Sequence, residues 1–190
     1  FDDHNSLMSI GDYAFFKCAK LEEISIPLSV KKIGVYAFSE CKSLKKVAVP
    51  YFLNEICEKA FNGCSSLFQL NFETDGKKDE LTSSFSIGEY AFSGCSSLYE
   101  ISIPSSVTEI CEGAFLNCLK LVKVKFDSPS TVASIGSSFC EGCRSMEMIS
   151  IPSSVKTIGS NAFKNCLLLK KIELPSSLKK KNWQILERAR

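Results

Sequence analysis

Histidine is almost missing from this chain: the single one, His4, stands near the first residue. That scarcity excludes most catalysis that relays protons through imidazole, and most His-rich metal sites. No apolar run approaches the ~18 residues that a bilayer-spanning helix needs, so no segment is expected to insert into a membrane. Excess charge of one sign is lacking too. The 23 Lys+Arg stand against 21 Asp+Glu and leave +2, which supplies no general basic field for nucleic acid. The chain opens at Phe1 with no charged segment leading into an apolar one, so a targeting segment is expected to be cut off or absent and the compartment stays open. What is present, 45% hydrophobic and 23% charged residues over 190 positions, fits one globular domain with a sizeable core rather than a disordered chain.

Internal periodicity then decides the architecture. The run Ile-Gly-x-x-Ala-Phe-x-x-Cys-x-x-Leu-x-x-Ile-x-Ile-Pro begins at Ile10 and returns at Ile33, Ile56, Ile87, Ile110, Ile135 and Ile158, in steps of 23, 23, 31, 23, 25 and 23 residues. The expected layout is one domain over 1–190, with a partial repeat in 1–9, seven repeats in 10–180 and a cap or tail in 181–190.

Each slot has a physical reason. The Leu slot (Leu21, Leu44, Leu67, Leu98, Leu121, Met146, Leu169) precedes a short alternating run such as Ile24-Ser25-Ile26, whose period of two marks a strand with one buried face. Five of the seven runs end in proline, at Pro27, Pro50, Pro104, Pro152 and Pro175. Proline has no ladder N–H and is expected to stop the pairing there. A return run such as Val107-x-x-Ile110 follows, then a bend glycine, then Ala-Phe-x-x-Cys. Apolar groups three apart, as at Phe92 and Cys95, suit a short helical turn on the back. One such unit cannot bury its own apolar slots, whereas stacked copies bury each other's. The expectation is a solenoid whose Leu-x-x-Ile-x-Ile strands form one seven-rung parallel sheet, ~30 Å long at ~4.8 Å per strand, on the concave side.

The Cys-x-x-Leu-x-x-Ile-x-Ile-Pro and Ile-Gly-x-x-Ala-Phe runs resemble the BspA-type leucine-rich repeat family. The resemblance covers nearly the whole chain. It implies an α/β fold, a right-handed leucine-rich-repeat horseshoe, often displayed outside the cell or secreted and used to bind host or neighbouring proteins. Several positions depart from the pattern. Cys57 and Cys111 replace the bend glycine, Phe139 and Cys140 fill the Ala and Phe slots of the sixth copy, and the third and fifth copies lack the proline. Local repacking is expected at those places.

The chain has ten cysteines, and seven of them (Cys18, Cys41, Cys64, Cys95, Cys118, Cys143, Cys166) share one repeat slot. In a solenoid they stack as a column with parallel Cα–Cβ vectors, whereas a disulfide wants a Cβ separation of ~3.8 Å and converging vectors. Reduced, structural thiols are therefore expected. Cys140-Glu141-Gly142-Cys143 has redox spacing without a thioredoxin-like surround. The seven-residue intervals Cys57/Cys64 and Cys111/Cys118 lack the histidines and the polar setting of a metal site. No metal and no cofactor is expected.

The eight extra residues of the third copy, around Glu73–Glu80, are expected to project as a solvated loop. At the other end, Lys179-Lys180-Lys181 interrupts the ladder, and Asn182 with Trp183-Gln184-Ile185-Leu186 is either a capping helix or a tail.

Residues between the inward slots vary from copy to copy, so packing does not dictate them. One outward row is Glu23, Lys46, Gln69, Glu100, Lys123, Met148, Lys171, in which Glu23/Lys46 and Glu100/Lys123 are expected to pair across strands. A row at strand entry carries Phe68, Tyr99 and Val122 on consecutive strands, with Gln69 and Asn71 beside them. Exposed aromatics amid adaptable polar groups have the composition of a binding centre. The candidate partner-binding residues are thus Phe68, Gln69, Asn71, Tyr99 and Val122. The alternative is that Phe68 and Tyr99 fold over the sheet edge onto the third-copy loop. No Ser/His/Asp or Cys/His set can be assembled away from His4, and no Gly-rich phosphate loop follows a strand. The functional expectation is a non-enzymatic protein-binding module acting through the concave face, in adhesion at a cell surface, or alternatively as a cytoplasmic scaffold or regulatory domain.

Overall fold

The computed structural model describes residues 7–51, 53–73 and 84–179. Within them each copy of the repeat is one coil of a parallel β-solenoid. In chain order the elements are β1 (Ser9–Ile10), β2 (Glu23–Ser25), β3 (Lys32–Ile33), β4 (Lys46–Pro50), β5 (Glu55–Ile56), β6 (Gln69–Glu73), β7 (Phe85–Ile87), β8 (Glu100–Ile103), β9 (Val107–Ile110), β10 (Lys123–Phe126), β11 (Ser134–Ile135), β12 (Met148–Ser150), β13 (Thr157–Ile158), β14 (Lys171–Glu173) and α1 (Ser176–Lys179).

The continuous sheet is not the one that strand periodicity points to. The odd-numbered strands, which carry the return run, pair in parallel as one seven-stranded sheet in the order β1-β3-β5-β7-β9-β11-β13. The first isoleucine of every copy lies opposite that of the next, from Ile10 on Ile33 through to Ile135 on Ile158. The even-numbered strands, expected to make the seven-rung ladder, form three short sheets instead: β2-β4-β6, β8-β10 and β12-β14. Their inward and outward alternation is as expected, with Glu100 and Ser102 exposed and Ile101 and Ile103 buried in β8.

The two interruptions have a common cause. They follow the third and fifth coils, whose steps are lengthened to 31 and 25 residues and whose strands end without proline. Elsewhere the proline carbonyl accepts the N–H three residues on, at 3.0 Å from Val30 to Pro27, 3.1 Å from Val107 to Pro104 and 3.2 Å from Val155 to Pro152. That tight turn brings the chain back at a set height. Without it, and with extra residues to place, the next even-numbered strand leaves hydrogen-bonding register. The odd-numbered sheet absorbs the change as a register shift between Phe85 and Ser86. Pro50 is an exception of another kind, since it stays paired in β4 opposite Glu73.

The Ala-Phe-x-x-Cys segment forms turns rather than a helix. In the first coil, Ala14, Phe16 and Cys18 donate three residues back to Gly11, Tyr13 and Phe15, at 3.3, 3.0 and 3.1 Å. The amides between them point the other way along the stack: Tyr13, Phe15 and Lys17 donate to Val35, Ala37 and Ser39 of the next coil at 2.9, 2.7 and 2.8 Å. Tyr13 (φ 57°) and Lys17 (φ 58°) stand in the left-handed region, the requirement of the third residue of a type II turn. The same two slots have positive φ in every later coil, for example Tyr90 with Gly94 and Asn161 with Asn165. The back of the solenoid is therefore a third ladder between coils, and α1 is the only helix among the described residues.

Inside these ladders the apolar slots stack as columns. Phe38, Phe61, Phe92, Phe115, Phe139 and Phe163 are the largest fully buried side chains. From Phe15 to Phe115 successive rings are parallel, with centroids 4.9 to 5.3 Å apart. Phe139 enters from the Ala slot and meets Phe115 and Phe163 edge-on, at interplanar angles of 88° and 89°. The sixth copy thus repacks by turning one ring, with Cys140 buried beside it.

Candidate binding surface

The first break in the even-numbered strands, between β6 and β8, opens a groove of about 620 Å³. Phe68 and Tyr99 stand at its rim, one residue before each strand, and are 44% and 58% exposed. Gln69 and Asn71 project outward from β6 and line the same groove. Four of the five residues singled out from the sequence are brought together there. Val122 is not: it is half-buried, lies outside the groove lining and donates its amide to the Tyr99 carbonyl at 2.9 Å. The third-copy segment 74–83, on which the alternative packing of the two rings depends, lies outside the described residues, as do His4 and the 181–190 cap or tail.

Two further groups that sequence slots did not single out build this groove. Tyr51, from the connection after β4, reaches over the third coil. Its phenol lies 3.0 Å from the Ser105 hydroxyl, accepts the Ser105 amide at 3.1 Å and donates to Asp127 Oδ2 at 3.3 Å. Ser106 Oγ donates to the Tyr51 carbonyl at 3.4 Å. The available signal was modest: Tyr51-Phe52 follows Pro50 where Ser-Ser follows Pro104, Pro152 and Pro175.

A second groove, of about 650 Å³, sits at the second break, between β10 and β12, where Lys123, Lys125 and Met148 line it with several serines. The charge pairing here differs from the expected one. Glu23 does pair with Lys46, at 3.0 Å. Glu100, opposite Lys123 in register, reaches instead to Lys125 at 3.1 Å.

The cysteine column has a different role. All ten cysteines are free. In the shared slot each thiol from Cys41 to Cys166 donates to the carbonyl in the Phe slot of the preceding coil, at 3.0 to 3.3 Å. Burial pushes the Cys41 thiol up to about 11 and that of Cys95 to about 12. Thiols held protonated in this way are poor nucleophiles and poor metal ligands. No group of three or more His, Cys, Asp or Glu among the described residues is arranged to hold a metal ion.

The BspA type leucine-rich repeat region matches residues 2–85 and 77–187, in six copies. The chain belongs to the BspA-type leucine-rich repeat family. The leucine-rich repeat protein of T. pallidum is 30% identical over 94% of this chain and 76% of its own length, with a TM-score of 0.73. A leucine-rich repeat protein from Bacteroides ovatus is 28% identical over the whole chain and 46% of its own length, with a TM-score of 0.62. A leucine-rich cell surface protein from Faecalibacterium prausnitzii is 27% identical over 87% of the chain and 42% of its own length, with a TM-score of 0.52. The chain thus spans less than half of each of the last two. No curated protein is significantly similar to it. Leucine-rich repeats are a protein-interaction fold, generally without catalysis. No helix among the described residues is long and apolar enough to cross a membrane.

Proposed function

We propose that this BspA-type repeat domain is a non-catalytic protein-binding module and that its contact surface is the groove at the first sheet break. The reading rests on one observation above all: Phe68 and Tyr99, both exposed, stand at a groove that Gln69 and Asn71 also line. In a stack whose other large aromatics are mostly inside, rings left exposed beside adaptable amides are available to anchor a partner. Likeness to a protein described as a leucine-rich cell surface protein supports a role in adhesion at a cell surface. The ten unpaired thiols favour a second reading, a scaffold or regulatory domain in a reducing compartment that uses the same surface. Localisation of the full-length protein separates the two. The contact surface itself is tested by replacing Phe68 and Tyr99 together with Ala. Affinity for a partner captured by the unaltered chain is expected to fall by about tenfold or more, since aromatic anchors are worth upward of about 2 kcal/mol each. Unchanged affinity would exclude this surface.

A further inference from the structure

The first groove follows the strands that border it, and its two ends differ in chemistry. Phe68 and Tyr99 stand one residue before β6 and β8, at the end where those strands begin. Tyr51 and Asp127 mark the other end. Tyr51 lies one step past the Pro50/Glu73 pair, and Asp127 one step past the Phe126/Ile103 pair, level with Pro104. From Tyr99 to that level is five residues along the chain, or about 16 Å at ~3.3 Å per residue. Gln69 and Asn71 of β6 and Glu100 and Ser102 of β8 line the stretch between, where no ladder joins the two strands. The charge in this groove is of one sign: Glu100 and Asp127 line it, and no Lys or Arg does among the described residues. Glu100 is already neutralised by Lys125 at 3.1 Å. Asp127 receives the Tyr51 phenol on Oδ2 at 3.3 Å and no cation among the described residues.

We infer that the partner is an extended peptide segment lying along this groove, in line with the strands. It sets a large apolar or aromatic side chain against Phe68 and Tyr99 at one end and a Lys or Arg on Asp127 at the other. This inference rests on the reading of the Phe68/Tyr99 groove as the contact surface. Side chains of an extended chain alternate, so the residue four positions from the apolar anchor faces the same way as the anchor. Four residues cover about 13 Å, and the long stem of a basic side chain spans the remainder. Gln69 and Asn71, two apart on one face of β6, are spaced by about 6.6 Å, the interval at which an extended backbone repeats its peptide groups. Each primary amide can both donate to and accept from such a group. The rings thus fix one end of the segment, the amides its backbone and the carboxylate its far end. An acidic residue at the far end would meet Asp127 with like charge, which gives the groove its selectivity.

The test is selection of short phage-displayed random peptides on the purified chain, with the winning peptides re-measured on variants. The expected winners carry a large apolar or aromatic residue and, four positions away, Arg or Lys. Their binding is expected to weaken by about tenfold or more on Asp127→Asn, which removes the charge and keeps an acceptor for the Tyr51 phenol. Binding to Asp127→Lys should be lost and should return when the basic peptide residue is exchanged for Glu, a rescue that a misfolded variant could not give. Winners that need Phe68 and Tyr99 yet are indifferent to Asp127, or carry the basic residue at another spacing, would overturn this inference and leave the contact surface standing. Winners that bind the Phe68→Ala, Tyr99→Ala variant equally well would overturn the contact surface, and with it the seating of the apolar anchor. Absence of any winner dependent on these residues would overturn both.

Discussion

The Cys41 thiol lies 3.0 Å from the Phe15 carbonyl oxygen of the preceding coil and donates to it. That carbonyl already accepts the Cys18 amide at 3.1 Å, closing its own turn. A thiol fits the slot because it is small enough for the column and still offers a donor to a second lone pair. The geometry recurs down the stack and turns each thiol of the column onto a carbonyl oxygen, with Cys143 also in contact with the Cys140 thiol. Denatured protein is accordingly expected to titrate ten thiols without prior reduction. Native protein should label Cys18, which is exposed, well before the buried members of the column, as peptide mapping after a brief alkylation would record. A denatured count well under ten would contradict the hydrogen-bonded column.

The same burial makes stability sensitive to alkali. The folded thiol of Cys95 is pushed up to about 12 from an ordinary value of 9.0. Its contribution is therefore complete below pH 9 and is lost as pH rises from there toward 12, because the unfolded chain releases the proton first. Each such thiol is expected to remove up to about 1.4 kcal/mol per pH unit in that window. Melting temperatures measured from pH 8 upward should fall steeply once pH passes the ordinary thiol value, and a flat profile would sink the prediction.

Leu98 is fully buried between coils, whereas Glu100, two residues on, is exposed in β8. Leu98→Ala should cost ~2 to 5 kcal/mol, because neighbouring coils close the cavity only partly. Glu100→Ala should stay within about 0.5 kcal/mol. Denaturant midpoints of the two variants check this, and equal shifts would contradict the assignment of inward and outward slots.

Two bend glycines that look equivalent in the repeat are expected to behave differently. A Cβ at Gly136 would stand 2.5 Å from the backbone carbon of Cys111, while one at Gly11 meets nothing within 4 Å. Gly136→Ala should destabilise by ~1 to 3 kcal/mol through overpacking against a backbone that cannot move away. Gly11→Ala should be nearly silent. Thermal unfolding of both variants decides it, and a harmless Gly136→Ala would show that the coils are less closely packed there.

Lys17 holds a positive φ of 58° in the slot where Gly63, Gly94 and Gly142 stand in other coils. Replacing it with Gly relieves a left-handed conformation that costs a side chain ~1 to 2 kcal/mol, offset by the greater entropy that glycine loses on folding. A net gain of about 0.5 kcal/mol is expected, read as a small rise in melting temperature; a fall would mean that the Lys17 contact over the Phe16 ring, at 5.0 Å, matters more than the backbone.

Part of the candidate site was legible in advance because outward positions vary where packing leaves them free. Phe68, Gln69, Asn71 and Tyr99 could be picked out this way and do share one groove. Val122 has the same slot but is half-buried and outside the groove, which opens between β6 and β8 whereas β8 and β10 stay paired. Slot arithmetic carries no information about which junctions stay closed. Tyr51 and Asp127 escaped for a related reason: they meet across 76 positions of chain, over a lengthened coil.

Period, slot and hydrophobic register belong to the sequence alone, because a residue that must pack on its own counterpart in the next copy has little freedom in kind. The stack of coils, the aromatic column and the unpaired thiols follow from that repetition. Which face keeps an unbroken ladder, where the other opens, and which lysine Glu100 reaches were decided only when the coils were assembled. Those outcomes depend on the height at which each connection returns the chain, a quantity set jointly by loop length, the proline turn and the backbone of the neighbouring coil.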